Sequence, residues 1–129
     1  MKNFIVLLML AASLFADIEL VSSLDKAKEL AKKENKIIMM EITQPGCPAC
    51  EYMEFVVFED PLIEKEISEH FISVEYDKQK VPDGFRVFGT PTIYFLNSDG
   101  TKFTSPQIGA ANVKKFMKKL KSVQKAWKN

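Results

Sequence analysis

The chain has 129 residues, 47% of them hydrophobic and 27% charged, with only five glycines and six prolines. That composition excludes a disordered, collagen-like or low-complexity chain and predicts one globular domain around one core. The lysines are not interleaved with aromatic residues in a folded platform, so nucleic-acid binding is not expected.

The first residues, MKNFIVLLMLAASLFAD, set Lys2 ahead of an apolar run from Phe4 to Ala12, with small residues after it. This is the pattern of a secretory signal peptide. Only 14 residues separate Lys2 from Asp17, fewer than the roughly 20 that span a bilayer as a helix. A signal peptide over residues 1–16 and a single domain over residues 17–129 are expected, with cleavage after Ala16 or near Ser13; a buried N-terminal helix or a retained anchor is the alternative. Residues 17–129 carry 17 basic and 17 acidic side chains, but the signs are segregated. Glu41 to Glu69 holds eight acids and one lysine, whereas Thr101 to Asn129 holds eight lysines and no acid. The lysine run reads as a solvated helix face, with contact to an anionic surface as the second reading.

From Ser22, apolar residues at Leu24, Ala27, Leu30 and Ala31 keep helical spacing, with Ser22 and Asp25 as a capping-box-like start and Asn35 as a stop. KIIMMEIT, residues 36–43, is a short run rich in isoleucine that ends at Pro45-Gly46 and predicts a buried central strand. Residues 48–58 read as helix, broken at Asp60-Pro61, where Asp60 can cap a further helix reaching about His70. FISVEY (71–76) and TIYFLN (92–97) read as strands, and the SDG turn at 98–100 predicts that 101–104 returns as a hairpin partner. Asn112 caps a last amphipathic helix carrying Val113, Phe116, Met117, Leu120 and Val123. The order predicts an α/β fold, a central mixed β-sheet flanked by helices on both faces.

Both cysteines, Cys47 and Cys50, lie in QPGCPACE directly after the first core strand. A structural zinc site needs about four ligands, and the chain adds only His70 to the pair. Haem attachment needs CxxCH, but Glu51 follows Cys50. No metal and no cofactor are therefore expected. As a structural staple the pair would close too short a loop to constrain the unfolded chain much. A redox dithiol fits the spacing better. Cys47 falls at the cap position of a helix and Pro48 at its first residue, so free N–H groups and the helix dipole favour thiolate at Cys47. Cys47 is then the attacking thiol and Cys50 the resolving one. Sharing a face with Met53 and Val57, Cys50 is expected to be the more buried of the two.

CPAC at a helix start after the first core strand, Gly89-Thr90-Pro91-Thr92 leading into TIYFL, and Gly109 ahead of the last helix together resemble the thioredoxin superfamily over residues 18–128. The resemblance implies the thioredoxin fold and a cis bond before Pro91, with Thr90 and Pro91 as the substrate-facing edge that pairs with bound peptide. It also implies a proton-relay role for Glu41, six residues before Cys47; the alternative is a side chain reaching solvent or a lysine. Gly46 stands where thioredoxins have a tryptophan, and the Phe58-Glu59-Asp60-Pro61 break is more like exported reductases of the SoxW type and the C-terminal domain of DsbD.

Glu51 and Glu54 beside the dithiol, with no cation between the cysteines, favour a reducing or intermediate potential. An exported thiol:disulfide oxidoreductase is thus expected. It would act as a monomer, reduce disulfides of exported or periplasmic proteins through a mixed disulfide, and be recharged by a membrane thiol electron donor. A disulfide oxidase or isomerase, or a non-catalytic peptide- or metal-binding module, stands as the alternative.

Overall fold

In the computed structural model, which describes residues 18–128, the apolar run Ile37–Thr43 forms the central strand of a five-stranded sheet. The signal peptide expected over residues 1–16 lies outside the described residues. In chain order the elements are β1 (Leu20–Val21), α1 (Leu24–Glu34), β2 (Ile37–Thr43), α2 (Pro48–Tyr52), a π-helical turn (Met53–Val57), α3 (Pro61–His70), β3 (Phe71–Asp77), β4 (Thr92–Leu96), β5 (Gln107–Ile108) and α4 (Val113–Ala126). The sheet runs β1-β3-β2-β4-β5; β3 is parallel to β1 and β2, while β4 is antiparallel to β2 and β5. A helical crossover separates β2 from β3, which is what parallel neighbours require.

Strand alternation divides the core between the two faces. Ile38, Met40 and Ile42 pack with Leu24, Ala27 and Ala31 of α1. Ile37 and Met39 pack on the other face with Met53, Val57, Ile63, Ile67, Phe116 and Leu120, from the π turn, α3 and α4. With both faces covered, β2 is buried from Ile37 to Ile42; each such isoleucine contributes roughly 1.5–3 kcal/mol of burial free energy. Glu41, on the same face as Ile37 and Met39, is the one charged residue in that run.

The helix boundaries follow side-chain chemistry. Asp60 Oδ1 accepts from the N–H groups of Leu62 and Ile63 at 3.0 and 3.3 Å, and Pro61 opens α3 where no N–H is needed. Asn112 caps α4 through Lys115 N–H at 2.9 Å. Asn35 ends α1 in the left-handed conformation, φ 53°.

Three local expectations are corrected. The cap of α1 is Ser23, whose Oγ accepts from Lys26 N–H at 3.1 Å, not Ser22. Residues 48–58 are not one α-helix: after Tyr52 the helix widens, and Phe58 N–H donates to Met53 O, five residues back, at 2.8 Å. Residues 101–104 contribute a single bridge, Leu96 to Lys102, and the partner strand of β4 is 107–108. Thr101 is held locally by Asp99 Oδ1, which accepts from its N–H and its hydroxyl at 2.9 and 2.6 Å. Further on, Lys119 Nζ takes the Ser105 carbonyl at 2.9 Å, and Pro106 has no N–H to offer a ladder.

Candidate active site

β2 delivers the chain to a turn at Pro45-Gly46, and Gly46 adopts φ +70° there, a conformation that costs glycine nothing. Cys47 follows as the cap of α2, with Pro48 in its first turn. The N–H of Cys50 donates to Cys47 Sγ at 3.1 Å. Cys47 and Cys50 are joined as a disulfide, their Cα atoms 5.2 Å apart. Cys50 is not the more buried of the two: Cys47 is 5% exposed and Cys50 7%. The loop before β4 covers Cys47 as closely as the helix covers Cys50.

That loop brings Thr90 and Pro91 to the dithiol from 43 residues away in sequence. Thr90 Oγ1 donates to Cys47 Sγ at 3.3 Å, and the Thr90 carbonyl oxygen lies 3.4 Å from the same sulfur. The Thr90–Pro91 peptide bond is cis. Pro91 O accepts from Gly109 N–H at 2.8 Å, and Thr92 Oγ1 donates to Gly89 O at 2.6 Å while accepting from Phe88 N–H at 3.3 Å. Farther back, Tyr94 Oη donates to Arg86 O at 2.7 Å and packs edge-on against Phe85, ring centroids 5.1 Å apart, so the loop is anchored at both ends. Phe88 and Ile108, on either side of this edge in the chain, are exposed apolar side chains.

Below the dithiol a cleft of about 190 Å³ is lined by Cys47, Cys50 and four acids, Glu41, Glu51, Glu54 and Glu75. A second cleft of about 170 Å³ shares Glu41, Glu54, Phe58 and Glu75 with it and reaches Met39 and Ser73. Ser73 Oγ is buried without a hydrogen-bond partner among the described residues. No lysine, arginine or histidine among the described residues lines either cleft. Glu41 is 6% exposed. Burial, reinforced by Glu75 and then Glu54, pushes its carboxyl up to about 8. Glu75 is exposed on its outer side, and its partial burial against the cleft raises its carboxyl above the ordinary range as well, with Glu54 adding to the effect.

The residues singled out in the sequence thus lie together: Cys47, Thr90 and Pro91 on the outer side of the dithiol, and Glu41 in the cleft beneath it. His70 lies at the end of α3, 3.9 Å from Glu66 and 3.8 Å from Glu69, and does not line the cleft. Glu75 was not legible as a member of the site. The alternation of FISVEY sets it on one face with Ser73, but only the parallel register opposite Glu41 brings it to the dithiol.

The family described as "Thioredoxin-like domain" matches residues 24–124. The thiol:disulfide interchange protein DsbD of Tatumella citrea is 24% identical over 107 residues, covering 78% of this chain and 18% of that protein. The chain spans less than a fifth of the length of the curated relatives it matches. Among solved structures, a thioredoxin from Thermus thermophilus is similar at a TM-score of 0.67 and 25% identity, covering 78% of this chain and 82% of that one. The reduced C-terminal domain of Neisseria meningitidis DsbD shares the fold at a TM-score of 0.60 and 23% identity, covering 77% of this chain and 92% of that one.

Proposed function

The chain belongs to the family of thioredoxin-like domains and carries a redox-capable cysteine pair of the thiol:disulfide oxidoreductase kind; from that premise we propose that it is an exported reductase of protein disulfides. In its reduced form the Cys47 thiolate attacks one sulfur of a substrate disulfide. A Cys47–substrate bond forms, the substrate bond breaks, and the leaving thiolate takes a proton. Cys50 then attacks Cys47 Sγ, releases the second substrate thiolate and closes the Cys47–Cys50 disulfide, so two electrons have passed to the substrate. Thr90 and Pro91 form the edge on which a substrate peptide lies, with Thr90 Oγ1 donating to the attacking sulfur.

Glu41 serves the second half of this exchange. A carboxyl poised near 8 is divided between its two forms around neutral pH, so its ionised fraction takes the Cys50 proton and its protonated fraction returns one when the pair is reduced again. A thiol donor must supply those electrons, and a membrane-held dithiol is the proposed source. The disulfide-containing partners are exported proteins, met by a monomer once residues 1–16 have been removed.

The observation that carries the reducing direction is the acid-lined cleft without a cation. Carboxylates near the sulfurs disfavour thiolate, and a dithiol whose thiolate is poorly stabilised gives its electrons up more readily. Equilibration with glutathione tests this. A potential nearer to thioredoxin's, about −270 mV, than to the oxidant DsbA's, about −120 mV, is expected; a value near the latter would reverse the direction. Insulin reduction driven by dithiothreitol should be abolished in Cys47→Ser, and undiminished turnover there would remove Cys47 from the attacking role.

A further inference from the structure

The outer face of α4 is chemically one-sided. Lys114, Lys118, Lys121 and Lys125 follow one another at spacings of four, three and four residues, and Lys128 continues the row. All five are exposed, while Phe116, Leu120 and Val123 bury the opposite face. From Lys114 to Lys125 the row extends for about 17 Å along the helix.

This arrangement opposes helix stability in two ways. Like charges four residues apart, as in Lys114/Lys118 and Lys121/Lys125, repel. Lysines in the first turn, Lys114 and Lys115, meet the positive end of the helix dipole, and no acid stands there to offset them. Among the described residues one counter-charge reaches the row, Glu66 at 2.9 Å from Lys121. A merely solvated face does not look like this even within the same molecule: on α1, lysines pair with acids at three residues, Lys26 with Glu29 and Lys28 with Asp25. A local rule broken without local compensation points to a role outside the fold.

We propose that the lysine row of α4 docks the protein on an anionic phospholipid surface. The basic side chains of the chain are 17 lysines and one arginine, Arg86. Lysine is a flexible point charge suited to a diffuse anionic plane, whereas recognition of individual protein carboxylates favours the arginine fork. The four lysines on the helix form a straight row with no aromatic residue among them on that face, which fits a plane better than a folded acidic partner. None of these lysines lines the dithiol cleft. The start of α4 is tied to the π turn that follows α2, through Ala111 N–H on Met53 Sδ at 3.5 Å, and to Phe58 just after that turn, through the Phe58–Phe116 ring contact.

The experiment is partitioning of the full chain onto vesicles of phosphatidylcholine alone and of phosphatidylcholine with about one-third phosphatidylglycerol, at low and high salt. The comparison protein is Lys114→Gln/Lys118→Gln/Lys125→Gln, which keeps the Lys121–Glu66 pair and the same N-terminal segment. Each lysine near an anionic surface is worth about fivefold in partitioning, so the triple variant should bind about a hundredfold more weakly. Wild-type binding should need the anionic lipid and be lost in salt. The variant should melt no lower than wild type, since it loses repulsion and no contact, and should reduce insulin in solution at the wild-type rate. Equal binding to both vesicle types, or unchanged binding by the variant, overturns the proposal. Tighter binding to soluble polyglutamate than to the anionic vesicles, at matched charge concentration, overturns it in favour of an acidic protein partner.

Discussion

Glu41 of β2 and Glu75 of β3 are register partners on adjacent parallel strands, and both line the cleft beneath the Cys47–Cys50 disulfide. Two carboxyl groups side by side, one of them buried, cannot both ionise at low cost, and Glu54 adds a third negative charge to the same cleft. The arrangement stores a proton within the cleft shared by Cys50.

That stored proton makes stability depend on pH. Glu41 ionises near 8 in the folded chain against 4.5 ordinarily. Below 4.5 both folded and unfolded chains hold the proton. Between 4.5 and 8 the unfolded chain has released it and the folded chain has not, so stability falls as pH rises across this window and levels off above it. At about 1.4 kcal/mol per pH unit the loss is bounded at about 5 kcal/mol. Urea unfolding from pH 5 to pH 9 should show this decline in wild type and a nearly flat profile in Glu41→Gln, which becomes the more stable protein above pH 8. A decline of equal size in both would place its origin elsewhere.

Glu75→Gln should move the upper end of the same window to lower pH, because it removes the larger of the two charge effects on Glu41. Glu75 is itself exposed, so its influence passes partly through solvent and should shrink in high salt. The pH dependence of insulin reduction should move in the same direction if Glu41 serves Cys50. A shift in the unfolding profile without one in the activity profile would separate Glu41's charge from the chemistry. The Glu41→Gln/Glu75→Gln double variant should lose, in addition, the smaller decline that Glu75's own raised carboxyl contributes.

Asp60→Ala tests the cap that starts α3. The lost acceptor leaves the N–H groups of Leu62 and Ile63 without their side-chain partner, at a cost of about 1 kcal/mol. Asp60→Asn should recover most of it. Since α3 packs on β3 and α4 and contributes nothing to the dithiol cleft, the insulin-reduction rate well below the melting point should be unchanged in both variants.

Asp60-Pro61 and Asn112 could be read from the sequence because a cap is a local device: the acceptor and the N–H groups it satisfies lie within three residues. The core strands could be read because burial on both faces demands apolar runs. What could not be read was set by partners distant in sequence. β1 is two residues long, too short for any periodicity, and exists through Ser73 and Val74 of β3. The π turn leaves apolar residues at positions 53 and 57, the spacing an ordinary α-helix would also show, so it is the hydrogen bonding to the fifth residue back, as in Phe58–Met53, that distinguishes it. The site divides in the same way. Cys47 and Cys50 carry their chemistry in their spacing, and Thr90-Pro91 became legible through family resemblance. Glu75 depended on strand register, and the near-equal burial of the two cysteines depended on where the loop before β4 comes to rest.

Thr90→Val isolates what that loop gives to Cys47. The substitution keeps the β-branched shape and removes the hydroxyl that donates to Sγ at 3.3 Å. A hydrogen bond to the ionised sulfur lowers its proton affinity, so its loss should raise the pH at which Cys47 becomes reactive. With such a bond worth about 1 kcal/mol, alkylation of the reduced protein by iodoacetamide near pH 7 should slow by roughly fivefold, and Thr90→Ser should restore much of the rate. At a pH high enough to ionise Cys47 fully, Thr90→Val should react at least as fast as wild type, because the hydroxyl governs how much thiolate is present and a thiolate without that hydrogen bond is the stronger nucleophile. If the two rates differ by the same factor at every pH, Thr90 controls access to the sulfur and does not set its charge.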